Sequence, residues 1–235
     1  MTLKDCLILT LLNVVGFYGL KYYNDSRQCR IVETLLPSVV KVSPIGHRWS
    51  EQLIMTPEGL GIEKVYKGFG VMGHGSGVFV NKDGMILTCN HVVAEGPIAQ
   101  IETNDGKKAL AYVVGRDVEQ DLALLRPIKP LGRVVPVSMA KGVKRGLNVL
   151  TIGFPGPFDK YVTAGVVSGF QDERTFSDLA IAPGNSGGGV FTINGDIVGL
   201  AEAITGPFPI PTYQGFSILT SLEAIQGILE KYRGF

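Results

Sequence analysis

Cysteine is scarce in this chain: Cys6, Cys29 and Cys89 are the only three in 235 residues. Three scattered thiols build neither a disulfide framework nor a four-ligand zinc site, so no metal is expected. Cys89 lies within an apolar run and reads as a small buried hydrophobe. Histidine is equally scarce, which leaves His47, His74 and His91 as the candidates for an imidazole base. Neither sign of charge is in excess. Net charge is +1, so no broad electrostatic pull toward nucleic acid or acidic substrates is expected. No phosphate-binding loop, internal repeat or low-complexity tract is present, and no cofactor is expected. The apolar run at 7–20 falls short of the roughly 20 residues of a usual spanning helix.

That run, LILTLLNVVGFYGL, is preceded by Lys4 and followed by Lys21. It can be a signal-anchor helix, a cleaved signal peptide or an apolar helix used in assembly. No small-x-small cleavage site precedes the polar 21–30 stretch, which favours an uncleaved anchor. Residues 1–30 are therefore read as apolar anchor plus polar linker, and the chain as membrane-associated. Charge does not settle direction. Lys21, Arg27 and Arg30 outnumber Lys4 and would draw the following part inward, while the side carried forward is extracytoplasmic.

What the chain has is glycine (31), proline (13) and a 45% hydrophobic content. That suffices for one two-lobed domain or two small ones. A short helix is expected over 27–36, stopped at Pro37, with a strand from Val39. Residues 43–72 read as a long surface loop or a hairpin insertion. Strands follow at 75–80 and 85–93 around the turn Asn81-Lys82-Asp83-Gly84, then on either side of Asn104-Asp105-Gly106, and at 121–125. After Pro127 and Pro130 the pattern resumes at 148–152, 161–170, 189–193, 196–203 and 214–218, and 171–177 reads as a loop. Many short strands between Gly, Pro, Asn and Asp turns predict an all-β barrel or sandwich body. Ile218, Leu222, Ile225 and Leu229 recur at helical spacing, and Thr220 with Glu223 fits a capping box, so one amphipathic helix closes the chain.

One stretch concentrates the chemistry. Residues 180–189, AIAPGNSGGG, place Ser186 among glycines between apolar runs. A loop of this kind can aim successive N–H groups at one point, as an oxyanion hole requires. A serine hydroxyl is a weak nucleophile until a base takes its proton. His91, at the end of a strand, is the best-placed base; His74 and His47 read as ordinary turn or surface residues. The base needs a carboxylate to fix its tautomer. Asp121 abuts the apolar run Leu122–Leu125 and reads as half-buried. Asp117 and Glu119 look solvated, and Asp178 is placed to brace the serine loop.

His91, Asp121 and Ser186 stand in that order, 30 and then 65 residues apart. The blocks Thr88-Cys89-Asn90-His91-Val92-Val93, Asp121-Leu122-Ala123-Leu124 and Gly184-Asn185-Ser186-Gly187-Gly188 resemble the three catalytic blocks of chymotrypsin-fold serine proteases, in particular the HtrA/DegP-like branch. Leu36–Val40, Gly75–Val78, Thr151–Pro155 and Thr163–Ser168 agree with that branch, so the likeness runs over about 35–220. It implies two six-stranded antiparallel β-barrels with the site between them. The first is expected at about 37–128, the second at about 134–218 and the helix at 220–232, within a protease domain at 31–235. It further implies Ser186 as nucleophile, His91 as base, Asp121 as its orienter, and the N–H groups of Gly184, Asn185 and Ser186 as the oxyanion hole. Ala180 would floor the S1 pocket, with Ile181, Leu200 and Ala201 lining it and Glu202 at the rim. That gives a small or apolar P1 preference.

The chain departs from the branch in carrying no PDZ module, and its 171–177 loop is short. The partners implied are polypeptide substrates, with a homotrimer through the N-terminal segment as the family's option. Three functions stand: an endopeptidase acting on unfolded or exposed polypeptides, a catalytically silent binding or chaperone-like module, and an esterase using the same residues.

Overall fold

A computed structural model describes residues 27–205 and 216–233. The apolar run at 7–20, expected as a helical anchor, lies outside the described residues. Among the described residues, no helix is long and apolar enough to cross a membrane. Residues 27–35 form helix α1, followed by a 3-10 turn, Leu36–Ser38, that carries Pro37. Strand β1 begins at Val39.

The first sheet holds β1 (Val39–Thr56), β2 (Gly59–Val71), β3 (Gly75–Phe79), β4 (Ile86–Cys89), β5 (Ile98–Glu102), β6 (Lys108–Asp117) and β7 (Leu122–Pro127). Its order is β2-β1-β3-β4-β7-β6-β5, and β5 pairs back onto β1. The six strands other than β2 thus close into an antiparallel barrel. The second sheet holds β8 (Ser138–Met139), β9 (Asn148–Gly153), β10 (Tyr161–Gln171), β11 (Arg174–Ser177), β12 (Gly189–Thr192), β13 (Asp196–Thr205) and β14 (Phe216–Thr220). Its order is β12-β9-β10-β11-β14-β13-β8, and β12 also pairs with β13. This closes a second six-stranded antiparallel barrel, with β8 added in parallel at the rim of β13.

Closure removes free sheet edges, and the interior of each barrel is filled by side chains. Val40, Val78, Phe79, Ile86, Leu87, Ile101, Leu122 and Leu124 are buried in the first core, and Val149, Val167, Leu179, Val190, Val198 and Leu219 in the second. Helix α2 (Leu222–Lys231) spans both: Leu222 packs on the second core, while Ile225 and Ile228 join the first. Its Tyr232 hydroxyl accepts from the Arg116 N–H on β6 at 3.4 Å.

Four local expectations are corrected. The 43–72 stretch is a hairpin, with β1 and β2 paired from Ile45↔Val71 out to Thr56↔Gly59. The second strand stops at Cys89, and His91–Val93 is a 3-10 turn, because the Asn90 N–H leaves the ladder for Asp121 O at 2.9 Å. Residues 171–177 are not a loop: β10 turns directly into β11 through Asp172 (φ 48°) and Glu173 (φ 61°). Two successive left-handed residues make the tight primed turn that suits strand twist, and here it lacks the usual Asn-Gly signature. At α2 the N-cap is Ser221, whose Oγ accepts from Ala224 N; the Thr220 hydroxyl accepts from Leu200 N instead.

Beyond the first barrel, the β1–β2 ribbon projects without a sheet beneath it. Strand alternation puts Ile45, His47, Leu53 and Met55 on one face with Val71, Phe69, Ile62 and Leu60 opposite. The other face carries Arg48, Gln52, Glu63 and several glycines. Leu53, Met55, Leu60, Ile62 and Phe69 are all exposed.

Candidate active site

Register explains why His91 and Asp121 meet. Strands β4 and β7 are antiparallel neighbours, with Cys89 opposite Leu122. The residues just past Cys89 and just before Leu122 therefore emerge at one end of the barrel. There Asp121 takes a left-handed backbone (φ 51°), which Asp tolerates better than most residues. One carboxylate oxygen accepts the His91 backbone N–H at 2.8 Å, and the other faces His91 Nδ1 at 2.6 Å. A carboxylate accepts only, so Nδ1 is the donor and Nε2 is left as the basic nitrogen. The Asp121 bond is the main cause that lifts His91 above the ordinary value of 6.5, against the opposing effect of partial burial. Arg116 secures the same turn from β6. Its guanidinium donates to Asn90 Oδ1 at 2.6 Å, Val93 O at 2.7 Å and Gly96 O at 3.0 Å.

The serine loop is pinned across the boundary between the barrels. Ser186 O accepts from Ser76 N at 2.8 Å, Gly187 N donates to Ala201 O at 2.8 Å, and Gly188 N donates to Asn185 O at 2.8 Å. Gly184 (φ 102°) and Gly187 (φ 84°) both need positive φ. A Cβ would overlap Phe154 O at the first, and Ser76 O and Thr88 Oγ1 at the second. The loop therefore lies directly on β3 and β4, two residues from His91.

The Pro183 carbonyl accepts from Gly156 N at 2.8 Å. In a planar trans peptide the Gly184 N–H points the opposite way, away from the Phe154–Gly156 loop. Among the described residues, neither the Gly184 nor the Ser186 N–H has a backbone acceptor. The Asn185 N–H does: it donates to Ala182 O at 2.9 Å. This corrects the oxyanion-hole expectation, because a donor already engaged in its own turn is not free for substrate. The Ser186 hydroxyl donates to Glu202 O at 3.2 Å.

The expected S1 residues separate. Ala180 is exposed and Ile181 half-buried. Leu200 and Ala201 have no exposed surface, Leu200 belonging to the core shared with Val78 and Ile152 and Ala201 to the second barrel's core. They form no open pocket wall here, a further correction. Glu202 is no rim residue either: its side chain is 14% exposed and pairs with Arg174 Nε at 3.1 Å. Asp178 does not brace the serine loop, since its Oδ1 accepts from Val166 N on β10 at 2.6 Å.

Two side chains matter that sequence reading passed over. Ser76, wholly buried, donates to Gly184 O at 2.7 Å and accepts from Phe154 N at 3.1 Å. His74 Nε2 lies 2.9 Å from Phe154 O beside the same loop, so it is no ordinary surface histidine. Cys89, His91 and Asp121 bring three ligand-type atoms within 4.8 Å of one another. They do not make a metal site by their chemistry. His91 and Asp121 are bonded to each other, and burial, with Asp121 and Glu202 nearby, pushes the Cys89 thiol well above 9.0, away from the thiolate that a metal needs.

Comparison with known proteins follows this geometry. Residues 75–200, more than half of the chain, match the family model of the trypsin-like peptidase domain. A probable periplasmic serine endoprotease DegP-like from Marinomonas sp. (strain MWYL1) is 34% identical over 64% of this chain and 35% of its own length. One of the same description from Halomonas elongata is 31% identical over 72% of this chain and 36% of its own. The chain thus spans about a third of these curated relatives. The crystal structure of the serine endoprotease from Yersinia pestis superposes with a TM-score of 0.68 at 25% identity, covering 87% of this chain and 65% of that one.

Proposed function

We propose, on the premise that this chain belongs to the trypsin-like peptidase family, that it is a serine endopeptidase of the HtrA/DegP type with Ser186, His91 and Asp121 as its triad. The observation that carries the reading is the double latch of Asp121 onto His91, which leaves Nε2 basic beside a serine loop held against the same strands. Ser186 Oγ attacks the peptide carbonyl while His91 Nε2 takes its proton. The imidazolium that forms is stabilised by Asp121 and later hands the proton to the leaving amine. The N–H groups of Gly184 and Ser186 receive the oxyanion, each such donor being worth about 10²–10³ in kcat. Water then repeats the sequence on the acyl-enzyme. The substrates are unfolded or exposed polypeptides outside the cytoplasm, with a small or apolar P1 side chain against Ala180 and Ile181. Attachment through residues 7–20 and assembly as a homotrimer belong to the same proposal; carbonate extraction and light scattering of the full chain test them.

The test of the activity is fluorophosphonate labelling with casein cleavage, in the parent and in Ser186→Ala. Labelling and cleavage that vanish in Ser186→Ala, with a loss on the order of 10⁶ in kcat, support the reading. A parent that neither labels nor cuts overturns it. A second reading, a module that holds polypeptides without cutting them, is favoured by one observation: Ser186 donates to Glu202 O rather than to His91. Apo hydroxyls often sit this way until substrate arrives. Binding of denatured casein by an unlabelled parent would select the second reading.

A further inference from the structure

Glu202 and Arg174 join the two halves of the site at a point that the mechanism above does not use. Arg174 opens β11 in the second barrel. Its Nε lies 3.1 Å from Glu202 Oε2, in the same barrel. Its other two nitrogens cross to the first barrel, where Nη1 donates to Gln120 Oε1 at 2.7 Å and Nη2 to Glu119 O at 3.0 Å. Glu119 and Gln120 immediately precede Asp121. Gln120 is held from its far side as well, donating to Glu173 Oε2 at 2.9 Å in the tight β10–β11 turn. Glu202 in turn presents its backbone oxygen to the Ser186 hydroxyl. A continuous set of contacts therefore runs from the nucleophile through Glu202 and Arg174 to the backbone that carries Asp121.

We propose that Glu202 and Arg174 are positioning residues of this site: together they fix the Asp121 turn relative to Ser186 across the barrel boundary and place a second carboxylate behind the His91–Asp121 pair. This rests on the endopeptidase reading for its catalytic meaning, though not for its geometry. A carboxylate that is mostly buried beside another is costly unless a cation offsets it. Glu202 shows that balance. Burial and Asp121 push its carboxyl up, while Arg174 and, more weakly, His91 draw it down. Guanidinium geometry suits the task, since a rigid fork can serve a carboxylate, an amide and a carbonyl at once, which an ammonium cannot. The charged groups facing His91 are Asp121 from its own barrel and Glu202 from the other, and both raise its basicity. Cys89, behind them, is held neutral by burial.

The test reads His91 directly. The imidazole of His91 is titrated by NMR in a Ser186→Ala background, with and without Glu202→Gln. Glutamine keeps the shape and removes one negative charge, so His91 is expected to titrate lower by roughly half a pH unit. In the active enzyme the acidic limb of kcat/KM moves by the same amount. Arg174→Gln releases the Asp121 turn and is expected to lower kcat by roughly tenfold to a hundredfold with KM little changed. Arg174→Lys, which restores charge without the fork, recovers less than half of that loss on a logarithmic scale. If His91 titrates at the same pH in both backgrounds and Arg174→Gln turns over within twofold of the parent, the proposal is overturned. A parent that neither labels nor cuts would sink the endopeptidase reading, while the NMR titration would still decide whether Glu202 acts on His91.

Discussion

Ser76→Ala removes one oxygen and should unsettle the site more than any exposed change of that size. The Ser76 hydroxyl has no exposure and serves two backbone groups of the other barrel, Gly184 O at 2.7 Å and Phe154 N at 3.1 Å. Without it both are buried with one partner fewer. Leaving a buried polar group unsatisfied costs about 1–3 kcal/mol. Two such groups with partial relaxation give about 2–4 kcal/mol. At this chain length each kcal/mol shifts Tm by about 2–4 °C, so a fall of roughly 5–15 °C is expected. The same bonds hold Gly184, whose N–H is the proposed oxyanion donor, and misplacement of such a group by an ångström can cost about 10² in rate. Thermal and urea unfolding, with kcat and KM on a peptide ester, are the measurements. Thr163→Ala is the control, because its hydroxyl donates to Ala180 O from an exposed position; it should shift stability by no more than about 0.5 kcal/mol. A Ser76→Ala protein with Tm within 2 °C and kcat within about threefold of the parent would refute the claim that this hydroxyl ties the barrels.

Two further outcomes follow from the same geometry. Asp121→Asn should cut kcat by roughly 10⁴ and move the acidic limb of kcat/KM down, because the bond that lifts His91 is lost. The sign for stability runs with it. A histidine raised above its unfolded value of 6.5 stabilises the fold fully below 6.5, and that contribution disappears as pH rises through the raised folded value, so the mutant's stability deficit should shrink at alkaline pH. A deficit that grows above neutrality would contradict it. On the β1–β2 ribbon, Leu60→Ser and Ile62→Ser should each change unfolding free energy by less than about 0.5 kcal/mol, while Leu87→Ala in the first core should cost about 2–5 kcal/mol. Equal costs at both places would mean that the ribbon face is covered within the monomer.

The sequence carried the site where its signals are local. His91 and Asp121 each terminate an apolar run, and Ser186 sits in a glycine-rich loop, so strand ends and turn chemistry announce them before any contact is known. The barrels were legible for the same reason, as short apolar strands between Gly and Asp turns. What stayed hidden depends on pairing across long separations. Ser76 meets Gly184 over 108 residues and Arg174 meets Gln120 over 54, and nothing near either residue marks the partner. The 171–177 hairpin was missed because its turn residues are Asp and Glu rather than Asn and Gly; the chain tolerates left-handed Glu173 where Gln120 grips its carboxylate. Thr220 matched the capping pattern by letter, but a buried strand N–H claimed its hydroxyl, so the neighbouring Ser221 caps the helix.

Each barrel builds its own part of the site without help from the other. His91 and Asp121 are latched by three bonds within the first barrel, and the nucleophile loop turns on its own bonds from Asn185 to Ala182 and from Gly188 to Asn185. What catalysis adds is the demand that these two rigid halves hold one relative position, to better than an ångström. The described contacts that can enforce this are few and fall at different heights of the cleft. Ser76 holds the oxyanion side, Arg174 with Glu202 holds the Asp121 side, and α2 spans both cores behind them. Small interfaces between packed lobes leave relative motion as the default. Weakening any one tie should therefore lower turnover before it lowers secondary structure. The polar ties are short-range and directional, so they should act on alignment; the apolar packing of α2 is broad and should act on stability. That division assigns Arg174 and Glu202 to rate, Ile225 and Ile228 to folding, and Ser76, buried and bonded to both ends of the serine loop's support, to both.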